Sequence, residues 1–165
     1  MAKTDSFFIR ASTAFNGTTF AQAAIDLGAY VDALGKSVLR IHNVAIQYGD
    51  PSDIFLAPAG QHRATFQITT QSQADMVNAT DRSLVSSGAL FYADGAQGNP
   101  FISEALDIAP QHWTKGYLVG VEQLYLGVDA SEATAGGMTG VNVVMECTVE
   151  TLSQSAAMAL ALSQQ

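Results

Sequence analysis

Three histidines, one cysteine and two pairs of carboxylates are the residues of this 165-residue chain with the most chemistry to offer. Imidazole is the commonest metal ligand, but His42, His62 and His112 lie about 20 and 50 residues apart, so no two form a local ligand pair. They read as structural residues on a strand and two loops; converging on a metal, they would instead make an enzyme. Asp50-Pro51-Ser52-Asp53 and Asp129-Ala130-Ser131-Glu132 each set two acids three positions apart on a loop. Calcium takes about six to eight oxygens, and two carboxylates supply a minority, so capped turns are the simpler reading. Cys147 is the sole cysteine, which excludes an intrachain disulfide and any multi-cysteine zinc site. It falls on the inward parity of its strand and reads as a small core hydrophobe. Gly35-Lys36-Ser37 ends like a phosphate-binding loop, but the pattern needs a glycine where Tyr30 stands, and Gly28 is out of register. A turn leading into a strand explains it better. Trp113, with His112, Lys115 and Tyr117, has the types of a ligand-binding rim, although an aromatic at the edge of a strand is more often a core anchor. Asn16-Gly17-Thr18 and Asn78-Ala79-Thr80 match the glycosylation sequon by chance if no secretory route exists. No nucleophile elbow of the G-x-S-x-G type occurs. No catalytic or metal-ligating residue is assigned, no cofactor is expected, and the chain reads as a non-enzyme.

Charge narrows the partners. Fifteen acidic and seven basic residues give a net charge of −8. The cations Lys3, Arg10, Lys36, Arg40, Arg63, Arg82 and Lys115 are scattered, with no basic arm. Nucleic-acid affinity comes from clustered Lys and Arg against phosphates, so direct genome or RNA binding is not expected, nor docking on anionic lipid. Charged residues are 13% of the chain, about half the usual ~25%, while 48% are apolar. Interface cores are depleted of Lys, Glu and Asp in the same manner, so much of the surface is expected to be covered by other subunits. No run reaches the ~18 apolar residues of a membrane span, so no membrane insertion is expected. The first residues, Met1 to Ser6, hold no apolar stretch behind Lys3, so no secretory signal is expected either.

The elements that must position these residues are mainly strands. Ser6 to Ala14 alternates Phe7, Ile9 and Ala11 against Phe8, Arg10 and Ser12. From Val38 to Tyr48 the apolar parity switches near His42 and Asn43, the mark of a β-bulge or of a strand buried on both faces. Thr65 to Thr70, Leu84 to Tyr92 and Val141 to Val149 read as further strands. Tyr117 to Val128 repeats the parity switch at Glu122 and Gln123. Residues 19–31 fit a helix through Phe20, Ala23, Ala24 and Leu27, or a strand through Ile25, Leu27 and Ala29. Turn signals at Asn16-Gly17, Leu34-Gly35, Gly49-Asp50-Pro51, Pro58 to Gly60, Ala93-Asp94-Gly95, Gly98-Asn99-Pro100 and Gly136-Gly137 punctuate these runs. One all-β sandwich or barrel domain of about seven or eight strands follows, spanning 1–165 with its core in 6–152. The stretch from Thr151 to Gln165 is uncharged, and 153–165 forms an apolar C-terminal arm in which a short helix competes with an extended chain.

Several segments together resemble the single jelly-roll capsid proteins of icosahedral viruses, especially those infecting archaea and bacteria. They are Ile25 to Val31, Val38 to Val44, Val121 to Val128 and the closing strand Val141 to Leu152. The resemblance implies a single jelly-roll β-sandwich of about eight antiparallel strands in two four-stranded sheets. It implies homo-oligomeric capsomers, or mixed ones with companion capsid proteins, tiling a virion shell made in the host cytoplasm. The Arg- and Lys-rich arm of genome-packaging relatives is absent, which is similar to virions where an internal membrane or another protein lies beneath the shell.

The leading expectation is therefore a structural subunit that self-assembles. Its interface residues are expected at Phe7, Phe8, Ile9 and Arg10, at Ile54 and Phe55 in the 51–61 loop, and at Met158, Leu160 and Leu162 near the C-terminus. The alternative is a carbohydrate- or ligand-binding sandwich built on Trp113, Tyr117 and the Asp-bearing loops, with calcium as a candidate ion.

Overall fold

The computed structural model describes residues 3–32, 34–52, 59–94, 100–132 and 138–165. Nine strands are described: β1 (Phe7–Ala14), β2 (Ala21–Asp26), β3 (Ser37–Tyr48), β4 (Gln61–Thr69), β5 (Leu84–Ala93), β6 (Phe101–Ile108), β7 (Tyr117–Val119), β8 (Gln123–Ala130) and β9 (Gly140–Thr151). A 3-10 turn spans Pro110–His112, and α1 (Gln154–Ser163) follows β9.

Two antiparallel sheets result, ordered β1-β9-β3-β7 and β2-β8-β4-β5-β6. The pairing is nested. β1 pairs with β9, β2 with β8, β3 with β7, and β4 with β5, as in one long hairpin rolled onto itself. That wrapping, with both sheets antiparallel, is the jelly roll. β6 is added outside it, on the free side of β5.

Alternation of apolar and polar residues drives the layers together. Leu39, Ile41, Met145 and Cys147 from one sheet meet Phe66, Ile68, Leu124 and Leu126 from the other, all almost fully buried in one cluster. The outer face of the first sheet carries a polar ladder instead. Arg40 grips Glu150 through Nε and Nη2 at 2.6 and 2.8 Å, His42 bonds Thr148 at 2.9 Å, and Asn43 donates to Glu146 at 3.0 Å. Arg40 holds the Glu150 carboxyl below its ordinary 4.5, a hydrogen bond opposed by desolvation and helped by charge. A depressed carboxylate lends stability that is complete above that ordinary value and is lost as pH falls through the lower folded value. Glu150→Gln is therefore expected to flatten the acid limb of a pH–stability curve and to leave the slope near neutrality unchanged, as denaturant titrations at stepped pH would show.

The parity switch in β3 is a bulge, as the sequence pattern allows, since Ile41 pairs with Cys147 and Asn43 with the next residue back, Glu146. The matching switch in 117–128 is not one strand. The chain leaves the first sheet after Val119 and enters the second at Gln123, so Glu122 lies in the crossing. Residues 19–31 hold strand β2, not a helix, with Ile25 and Leu27 buried. β6 raises the strand number to nine and the second sheet to five.

The C-terminal stretch is helical and lies on its own sandwich. Ser153 caps it, its hydroxyl accepting from Ala156 N–H at 3.3 Å. Ala157, Ala161 and Gln164 form the buried stripe, one turn apart. The Gln164 side chain accepts from Gly120 N–H at 2.8 Å and donates to Leu118 O at 2.8 Å, while its main-chain oxygen accepts from the Thr70 hydroxyl at 2.9 Å. One residue thus ties the end of β7 to the end of β4, across the two sheets.

Candidate functional site

The histidines do not meet. His42 occupies the β3 bulge, His62 on β4 donates to Ala59 O at 2.7 Å, and His112 is exposed in the 3-10 turn. Among the described residues no group of three or more His, Cys, Asp or Glu is placed to hold a metal ion. Asp50 closes a turn by accepting from Ser52 N–H and hydroxyl at 2.8 and 2.7 Å, which lowers its pKa; its partner Asp53 lies outside the described residues. Asp129 accepts from Ala130 N–H at 2.9 Å. Gly35-Lys36-Ser37 sits in a turn where Gly35 N–H bonds Asp32 O and Asp32 N–H bonds Ser37 O.

Cys147 is fully buried, and desolvation first, then the charge of Glu146, pushes its thiol up to about 12. Only the thiolate reacts with disulfide reagents. The folded protein is expected to leave a thiol reagent such as dithionitrobenzoate unreacted at pH 8 and to titrate one thiol per chain after denaturation.

Trp113 departs from the core-anchor expectation. It is 55% exposed, because the 3-10 turn buries Pro110 and Ala109 and carries the indole outward. Tyr117 is half-buried, and its hydroxyl accepts from Gln164 at 3.5 Å rather than joining a rim. Several shallow grooves are present among the described residues. One of about 490 Å³ is lined by Asp26, Gln71, Glu122, Gln123 and Tyr125. Another of about 420 Å³ lies between the outer face of β4 and residues 76–79.

What the surface does offer is exposed apolar side chains at the outer edges. On β1, Phe8 is 56% exposed with the Arg10 guanidinium 5.8 Å from its ring centre. Ile9 on the same strand is buried, and Phe7 is half-buried, its ring stacked on Tyr30 at 4.8 Å. On β6, Phe101 is 45% and Ile102 64% exposed, and neither was singled out in the sequence. Their signal was a nine-residue segment bounded by Pro100 and Pro110. On α1, Leu162 is 67% exposed and Met158 points outward, whereas Leu160 is half-buried beside Gly120. Ile54 and Phe55 lie outside the described residues.

No protein-family model matches the chain, and no curated protein matches it. Solved structures similar to it include a chain of Desmodium yellow mottle tymovirus, at 14% identity over 89% of this chain and 87% of that one, with a TM-score of 0.37. Merkel cell polyomavirus VP1, from its unassembled pentamer, overlaps at 8% identity over 84% and 79%, with a TM-score of 0.40. Dimeric latent PorU of Porphyromonas gingivalis overlaps at 8% identity over 86% of this chain but 12% of its own, with a TM-score of 0.38. Two of these three come from viruses. Overlap at this level carries no role from them to this chain.

Proposed function

We propose that this chain is a structural subunit that self-assembles into a shell, as a coat protein of a virus, without a catalytic step. The observation that carries the reading is a jelly roll whose outer edges end in eight-residue strands, β1 and β6, with large apolar side chains left in water. Monomeric sheet proteins blunt such edges with short strands, inward charges or covering loops. The sparse charge of the surface supports the same reading, because broad contacts between copies are less costly to desolvate when few ions are buried.

In this reading residues 1–165 act as one unit within a virion, alongside identical copies or companion coat proteins, after synthesis in the host cytoplasm. Nucleic acid is not a direct partner, since the chain carries a net charge of −8 and its sequence holds no basic arm. A membrane or another protein beneath the shell is compatible with that. Among the described residues no helix is long and apolar enough to cross a bilayer.

Light scattering on the purified protein, with electron micrographs of the same fraction, tests the reading. Defined capsomers or regular particles are the expected result. A 17.3 kDa monomer at every concentration and salt would overturn it. In that case exposed Trp113 would favour the ligand-binding module.

A further inference from the structure

We infer that copies of this chain join head to tail, the β6 edge of one copy docking along the β1 edge of the next. The inference deepens the shell-subunit reading and rests on it.

Both strands are outermost in their sheets, and they lie on opposite flanks of the sandwich. β1 is stacked over β2 and β8, whereas β6 ends the second sheet at the far side from β2. Both are eight residues long, and from Phe101 to Leu106 the β6 backbone is regular, so the two strands can pair along most of their length. Among the described residues no strand pairs with the outer side of either.

Charge selects the occupant. The sole charged residue of β1 is Arg10, which is exposed, and the sole charged residues of β6 are Glu104 and Asp107, both exposed. Pairing β6 with β6 of a second copy crowds four carboxylates together, and pairing β1 with β1 opposes two guanidinium groups. Glu104 and Asp107 lie on opposite faces of β6, so the mixed pair sets Arg10 against the carboxylate on its own face and brings Phe8 beside Phe101 or Ile102 in the same contact. In a chain of net charge −8, copies repel one another overall, so a contact of opposite charges is where they can approach. The contact uses two different surfaces of one molecule, so it is heterologous. It therefore repeats from copy to copy, closing into rings where the rotation allows and extending otherwise.

The test uses full-length protein in three forms: wild type, Arg10→Glu, and the double variant Glu104→Lys with Asp107→Lys. All changes are on exposed side chains, and thermal unfolding checks that each form folds as the wild type does. Sedimentation is expected to show that each variant alone needs on the order of 100-fold more protein to assemble, because like charges then face each other. Mixing the two variants is expected to restore assembly, since the copy carrying Arg10→Glu then presents a carboxylate to the ammonium groups of the double variant. Three outcomes overturn the inference: variants that assemble like wild type, variants that fail alone and are not restored by mixing, and a wild type that stays monomeric. The last also removes the shell reading, whereas the first two leave it standing with its contact elsewhere.

Discussion

Replacing Phe66 by alanine is expected to lower the unfolding free energy by about 3–5 kcal/mol, the largest loss from any single truncation in the core. Phe66 lies near the centre of β4, in the middle strand of the five-stranded sheet, and is almost wholly buried. Its ring meets Tyr48 of the opposite sheet edge to face, 6.3 Å between centres. The space it fills is kept open by its neighbours. Gly88 lies opposite it in register, and a side-chain carbon there would come within 2.8 Å of the ring and 2.6 Å of the Ala105 carbonyl. With backbone on that side, the void left by alanine cannot collapse. A chain of this size loses about 2–4 °C per kcal/mol, so the melting temperature is expected to fall by about 6–20 °C. Chemical denaturation would show a lower midpoint at unchanged slope. A loss below about 1 kcal/mol would mean that the two sheets do not lock around this ring.

Gln164→Leu is expected to cost about 2–4 kcal/mol although the new side chain is close in volume. The substitution removes the acceptor of Gly120 N–H and the donor to Leu118 O. Leaving a buried polar group without its partner costs about 1–3 kcal/mol, more than the net worth of the bond itself. Hydrogen exchange supplies a local reading: the Gly120 amide is expected to lose protection by far more than amides in the centre of β9. Uniform loss across the molecule would show a general weakening instead of a broken latch. Thr70, which bonds the main chain of Gln164, keeps its partner in this variant and serves as the internal control.

How much of this was readable in advance depends on which faces touch the core. β1 and β9 alternate cleanly because one face of each meets the opposite sheet and the other meets solvent or a polar ladder. The bulge at His42 was legible because an inserted residue shifts the parity of everything after it. The same shift at Glu122 and Gln123 has another cause, since a chain that crosses to the other sheet also restarts its parity; local pattern holds no record of which strand is the neighbour. β6 went unseen because Leu106 is the only one of its residues packed against the core, and the others have no reason to alternate. The edges of the candidate interface were legible only in part. Phe8 and Arg10 stand out from the inward parity, but Phe101 and Ile102 gain their meaning from lying on an edge. The exposure of Trp113 was hidden for a similar reason, because a three-residue turn buries its own first residue and turns the next side chain away.

The nested pairing also sets an order of events in time. Among the described strands β1 leaves the ribosome before the others and its partner β9 after them: Phe7 waits for Cys147 and Ala14 for Gly140. β2 waits likewise for β8. β4, β5 and β6, at the middle of the chain, find one another early. Such distant pairings close slowly, because a long loop must be ordered before they form. β1 therefore has no rigid shape until β9 has emerged. A half-made chain offers no rigid β1 edge, and translation itself times when that edge becomes available.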